Sequence, residues 1–295
     1  MDSKTIKFHI PGFYDFFELN CILCNFMTSG YKNLFRENIK ISSIYGSFPG
    51  AVWNGGRPIQ GHCDEKSITN VIRYFESINI PVRFTFSNQC IDKSHLNDEY
   101  CNMILKIADT GKNDIIVNNP ILESYLREHY PNFRYILSTT ACIRDIDKIN
   151  ELSEVYDFVV LNYNDNKNDE FLNALVHKDK IEIMVNELCI PNCPNRVAHY
   201  EYQSLKQLGL TPKGYIYDCP SKAPTNPYSP MPEEYLKNQI VTPEELYGKY
   251  VDMGFTNFKL QGRGMPMMYT LENYLLYMVK PEYQNFIRYE MLKGC

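Results

Sequence analysis

Asp114-Ile115-Ile116-Val117-Asn118-Asn119-Pro120 is the stretch on which the fold is read. Three consecutive β-branched residues form an apolar run far shorter than a helix, and a polar pair followed by proline ends it. A strand that is apolar without interruption is expected where both faces are buried, as in a parallel sheet. Phe158-Val159-Val160-Leu161 repeats the signature and closes on Asn162. Outward from these two, comparable runs occur at 7–10, 39–45, 82–87, 133–138, 181–186 and 255–261, with a shorter one at 214–218. Segments of helical periodicity follow most of them, including 16–35 and 64–77. Strands alternating with helical patterns predict βαβ units around a parallel sheet.

Nine candidate strands are one more than a barrel takes, so 214–218 is read as an inserted element. The expected fold is α/β: a single TIM-type (β/α)8 barrel over residues 1–295, with a short inserted segment before the last strand. A cysteine- and proline-rich loop region at 187–232 belongs to it. An open doubly wound sheet is the alternative. Polar residues end nearly every run: Asn88, Asn118-Asn119, Thr139-Thr140, Asn162, Asn186-Glu187, Gln261 and Arg263. A barrel builds its site from strand carboxyl ends and the loops after them, whereas Asn and Thr also terminate strands by turn chemistry. Glu187 and Arg263 stand out, because a charge near a strand end needs a partner or a ligand.

The composition, 44 % hydrophobic and 22 % charged in 295 residues, supplies a large core. A net charge of −5 argues against a broad electrostatic grip on nucleic acid. The first residues carry lysines but no apolar signal-peptide core, with Pro11, Gly12 and Asp15 intervening. No run approaches the roughly 18–20 apolar residues of a membrane span. The expected location is the cytoplasm, where ten cysteines stay reduced.

Cys189 and Cys193 stand four residues apart in Glu187-Leu188-Cys189-Ile190-Pro191-Asn192-Cys193-Pro194-Asn195-Arg196. The two prolines stiffen that loop. Cys219 opens a second Pro-rich loop, and Cys142 follows Thr139-Thr140 at another strand end. Thiolates select zinc or an iron–sulfur cluster. Zinc would take His199 as a fourth ligand; a four-iron cluster would take Cys142. Three buried thiols without metal are the remaining reading. Cys21 and Cys24 lie in an apolar helical segment and are read as core.

Gly46 to Arg57 is rich in glycine and proline and holds Trp53, the single tryptophan. Glycine permits close backbone approach, and Trp53 and Arg57 would stack on and clamp a planar or anionic group. No Walker A loop, dinucleotide fingerprint, His-Glu-x-x-His or Gly-x-Ser-x-Gly elbow occurs.

The run from Asn186 to Arg196, together with Phe258-Lys259-Leu260-Gln261-Gly262-Arg263, resembles the collagenase-like (U-thirty-two) peptidase family. Members end the barrel on a strand close to Phe-Lys-Ile-Glu-Gly-Arg and place a cysteine after the preceding strand; Gln261 stands here for that glutamate. Ser43-Ile44-Tyr45-Gly46 and Asn118-Asn119-Pro120 fit family strands as well. The resemblance implies a (β/α) barrel that binds a four-iron cluster through cysteines. It further implies kinship with proteins that hydroxylate RNA or ubiquinone precursors and with proteins described as peptidases.

The expected function is iron–sulfur-dependent modification, by hydroxylation, of a nucleic-acid base or a small cofactor precursor. Metal ligands are Cys189, Cys193, Cys219 and Cys142, with a 4Fe-4S cluster (alternatively zinc). Glu187 and His199 serve as catalytic groups, and Arg263, Arg57, Trp53, Asn88 and Asn119 bind substrate. A zinc-stabilised or metal-free barrel, acting as a peptidase-like hydrolase or a binding subunit, is the alternative. Expected partners are a small-molecule or RNA substrate and a homologous subunit, with no membrane.

Overall fold

The computed structural model describes residues 4–211, 219 and 230–294. Eight parallel strands close into a barrel in chain order: β1 (Ile6–Pro11), β2 (Ile39–Gly46), β3 (Val82–Phe84), β4 (Asp114–Val117), β5 (Arg134–Leu137), β6 (Phe158–Val160), β7 (Ile181–Met184) and β8 (Asn257–Lys259). The closing pair aligns Lys7 with Asn257, Phe8 with Phe258 and His9 with Lys259. Each of these strands falls within or beside an expected run. The extra candidate at 214–218 lies outside the described residues, as does Cys295. Between β7 and β8 the chain adds helical turns at Glu233–Asn238 and from Pro243 to Met253.

Helices follow most of the strands, and several of them start at side-chain caps. Asp64 accepts the Ser67 amide before α1 (Glu65–Ser77), and Asp98 accepts that of Cys101 before α2 (Glu99–Ala108). Asn119 accepts from Ile121 and Leu122 before α3 (Pro120–His129), whose first residue is proline. Asp145 accepts from Lys148 before α4 (Ile146–Val155). Each such cap satisfies an amide that the helix leaves open and contributes about 1 kcal/mol. The long helical segment after β1 divides into a helix over Phe17–Thr28 and a short turn over Lys32–Leu34.

The apolar side chains separate into two bodies because strand residues alternate in direction. Phe8, Ile44, Phe84, Ile115, Val159 and Phe258 point outward and join the helices in one large core. Tyr45, Ile116, Ile136 and Val160 point inward and form a small cluster inside the barrel. Most of the other inward positions are polar: His9, Ser43, Arg83, Asp114, Glu182, Asn257 and Lys259 are all buried, while Met184 and Phe158 add apolar surface. Among the described residues no helix is long and apolar enough to cross a membrane.

Candidate active site

A cavity of about 70 Å³ opens at the carboxyl ends of the strands. Its lining holds four basic side chains, Arg57, Arg196, Lys259 and Arg263, but one carboxylate, Glu187. Charge is therefore the property that distinguishes it.

Glu187 follows β7 and is already saturated. One oxygen accepts the amides of Leu188 (2.9 Å) and Cys189 (3.0 Å), and the other accepts Arg196 Nη2 at 2.6 Å. Burial pushes its pKa up, yet the Arg196 and Arg57 charges and these hydrogen bonds outweigh burial and hold it below the usual carboxylate range. A carboxylate fixed in this way is a weak base and anchors its arginine. Arg196 starts the helix Arg196–Gln207, an end where the macrodipole disfavours a cation. The Glu187 pair offsets that, as do the Tyr200 and Tyr163 rings, 4.5 and 4.7 Å from the guanidinium carbon.

Arg263, after β8, is held by neutral acceptors. Its Nη1 donates to Thr85 Oγ1 (2.9 Å) and Asn54 Oδ1 (3.0 Å), and its Nη2 to the Gly55 carbonyl (2.9 Å). Asp15 interacts with it electrostatically, but no carboxylate forms an ion pair with it among the described residues. Desolvation, the largest influence, lowers the Arg263 pKa, and Arg57 adds to the same direction. Arg57 Nη1 contacts the carbonyl of its own neighbour Gly56.

Beneath them lies a chain of buried charges. Arg83 pairs with Asp114 at 2.7 Å and with Glu182, and Arg134 reaches Asp114 from the amino-terminal side at 2.7 Å. Lys259 Nζ stands 3.9 Å from Glu182 Oε2 and 4.0 Å from the centre of the Tyr45 ring. That Glu182 oxygen is buried with no hydrogen-bond partner. Burial, with Arg83 and Arg263 assisting against Glu182, lowers the Lys259 pKa to about 7.

Cys189, Cys193 and Cys142 lie near Arg196. Cys189 is buried, Cys193 and Cys142 are partly exposed, and Cys219 is exposed. Cys193 and Cys142 each lie within electrostatic reach of both Cys189 and Arg196. Burial raises the pKa of Cys142 and Cys193. Among the described residues no group of three or more His, Cys, Asp or Glu is placed to hold a metal ion. The described thiols therefore do not by themselves fit a zinc ion or a four-iron cluster, and the chain around Cys219 lies outside the described residues.

The other sequence candidates separate by position. Arg57, Arg263 and Glu187 meet in the cavity. His199 sits on the first turn of the Arg196 helix, 2.7 Å from Gln203 Nε2. Burial, then Arg57 and Arg196, lower its pKa to about 4, so it is neutral near pH 7. Trp53, expected to touch substrate, is fully buried: its Nε1 donates to the His95 carbonyl and its ring packs on Phe86. Asn88 ties the Val52 and Ser204 carbonyls together, and Asn119 caps α3 while donating to the Gln89 and Ile91 carbonyls. These three are absent from the cavity lining, because their polar atoms are committed to loop closure. Sequence reading passed over Lys259, Tyr45 and Arg196 as site groups. For Lys259 and Tyr45 the signal was available in the alternation that turns them inward, each opposite an outward apolar neighbour.

No protein-family model matches the chain. An uncharacterized protease of Methanocaldococcus jannaschii, MJ1657, is 23 % identical over 270 residues, covering 87 % of this chain and 76 % of that protein. The solved structure of the U32 peptidase Mk0906 superposes with a TM-score of 0.52 at 14 % identity, covering 90 % of this chain and 96 % of that one. The second likeness is one of fold.

Proposed function

We propose that the chain is a barrel enzyme of the collagenase-like U32 peptidase family, and that its mouth takes a small substrate by an acidic group, a carboxylate or a phosphate. The observation that carries this is Arg263: a guanidinium fixed by three neutral acceptors in a cavity where the one lining carboxylate is already paired. A positioned, unneutralised arginine offers an acidic group charge-assisted hydrogen bonds. The partly exposed Arg57 adds charge from the loop. The relatives, a protease and a peptidase by name, make peptide cleavage a candidate reaction. In that case the cationic mouth would receive a peptide carboxylate.

Calorimetric titration with inorganic phosphate and with propionate tests the proposal. Arg263→Gln is expected to weaken binding about tenfold or more, equivalent to ~1.4 kcal/mol, with thermal melting checking that the variant folds. Equal affinity in the wild type and a folded Arg263→Gln rejects it.

A second reading, iron–sulfur-dependent hydroxylation of a base or cofactor precursor, is favoured by the approach of Cys193 and Cys142 to Cys189. It requires Cys219 or another donor to complete the set. Iron and labile sulfide in anaerobically purified protein would establish it, and their absence would leave the metal-free reading.

A further inference from the structure

We propose that Lys259 is an amine nucleophile that condenses with an aldehyde or ketone of the bound substrate, making the substrate class an oxo acid. This rests on the anion-binding reading of the same cavity. Lys259 lines that cavity together with Arg263 and is otherwise buried, so the cavity is where a substrate would reach it.

The surroundings keep the amine free to react. Among the described residues its closest acid is Glu182 Oε2 at 3.9 Å, beyond hydrogen-bond range. Arg83 and Arg134 already balance Asp114 and Glu182, so a proton on Lys259 would be a surplus buried charge. Every neighbouring element contributes: Glu182 from β7 favours the proton, Arg83 from β3 and Arg263 after β8 oppose it, and Tyr45 from β2 presents its ring face. His9 of β1, 3.6 Å from Glu182, is itself held neutral by burial, its pKa near 3. Burial dominates and brings Lys259 to about 7. Near neutral pH roughly half of Lys259 is free amine, on the order of a thousandfold more than for an ordinary lysine. Desolvation in an enclosed pocket is a recognised way to activate a lysine nucleophile.

In the step, Nζ bonds to the carbonyl carbon and one amine proton passes to the carbonyl oxygen, giving a carbinolamine. A second proton, from solvent, lets that oxygen leave as water. The nitrogen keeps one proton and the positive charge of the iminium, and no electrons are transferred.

The test treats the full chain with pyruvate and sodium cyanoborohydride near pH 7, then maps lysine adducts by peptide mass spectrometry. Acetone replaces pyruvate in a parallel arm, and propionate competes in a third. Lys259 is expected to label at least about tenfold faster than the exposed Lys293, with propionate slowing it and Lys259→Arg abolishing that adduct. Labelling of surface lysines with Lys259 unmodified overturns the proposal even if propionate binding still depends on Arg263. Lys259 labelling that is equal for acetone and pyruvate, and indifferent to propionate and to Arg263→Gln, keeps the amine and rejects the anion site. Because the decisive readout is the adduct on the wild-type chain, a variant that fails to fold does not blunt it.

Discussion

His9 shows what a single polar residue inside the barrel contributes. Its ring nitrogens lie 2.7 Å from Ser43 Oγ and 3.2 Å from Asn257 Oδ1, bridging β2 and β8 through β1. Burial, then Arg83, lower its pKa from 6.5 to about 3. Between those values the unfolded chain binds a proton that the native state refuses, so stability falls as pH drops from 6.5 toward 3. Glu182 acts in the same direction at lower pH. Burial raises its pKa, but Arg83, His9 and Lys259 outweigh that and hold it near 2, so its contribution fades as pH falls from 4.5. Urea midpoints of the wild type should therefore decline from about pH 7 to about pH 5, while His9→Gln should decline only about half as steeply, the remainder coming from His199, whose pKa is lowered to about 4. Parallel profiles would show that His9 does not carry the effect.

At the scale of an element, the loop from Gly46 to Arg57 is shaped to receive Arg263. Gly55 donates its amide to the Thr85 carbonyl and offers its own carbonyl to Arg263. A Cβ there would stand 2.4 Å from the Ser87 backbone, which cannot yield as a side chain end can. The close approach that glycine permits is thus made to the end of β3. Gly55→Ala should cost about 1–3 kcal/mol by overpacking and weaken phosphate binding by displacing the Arg263 acceptor. Gly30→Ala, where a Cβ meets nothing within 4 Å, should change stability by less than about 0.5 kcal/mol. Denaturant unfolding of the two variants checks both values, and equal midpoints would contradict the account.

For the molecule as a whole, the barrel interior is filled by ionic and polar groups over a small apolar cluster. Arg83 is 1 % exposed and joins β3 to β4 and to β7 across the barrel. Removing one member of a buried pair leaves an uncompensated charge, which costs about 3–5 kcal/mol. Arg83→Met should lose about that much, and Arg83→Met combined with Glu182→Gln should recover part of it, since fewer carboxylates are then stranded. Additive losses in the double variant would deny the coupling.

The alternation of short apolar runs with helical segments carried the barrel in the sequence itself, because a strand buried on both faces leaves an uninterrupted local signature, as at Ile115-Ile116-Val117. Arg263 and Glu187, which both line the cavity, stood out in the sequence for a related reason: charges at strand ends have few structural uses. Other assignments depended on distance in space. Trp53, Asn88 and Asn119 have the chemistry of ligand contacts, yet tertiary packing engaged their polar atoms with the backbone of distant loops. The lowered pKa of Lys259 was equally beyond local reading, for it follows from burial beside Arg83 and Arg263, which β3 and the segment after β8 bring to one place only when the barrel closes. Local sequence thus specified which strands form, and closure decided which charges meet, since electrostatic balance is a property of the assembled interior.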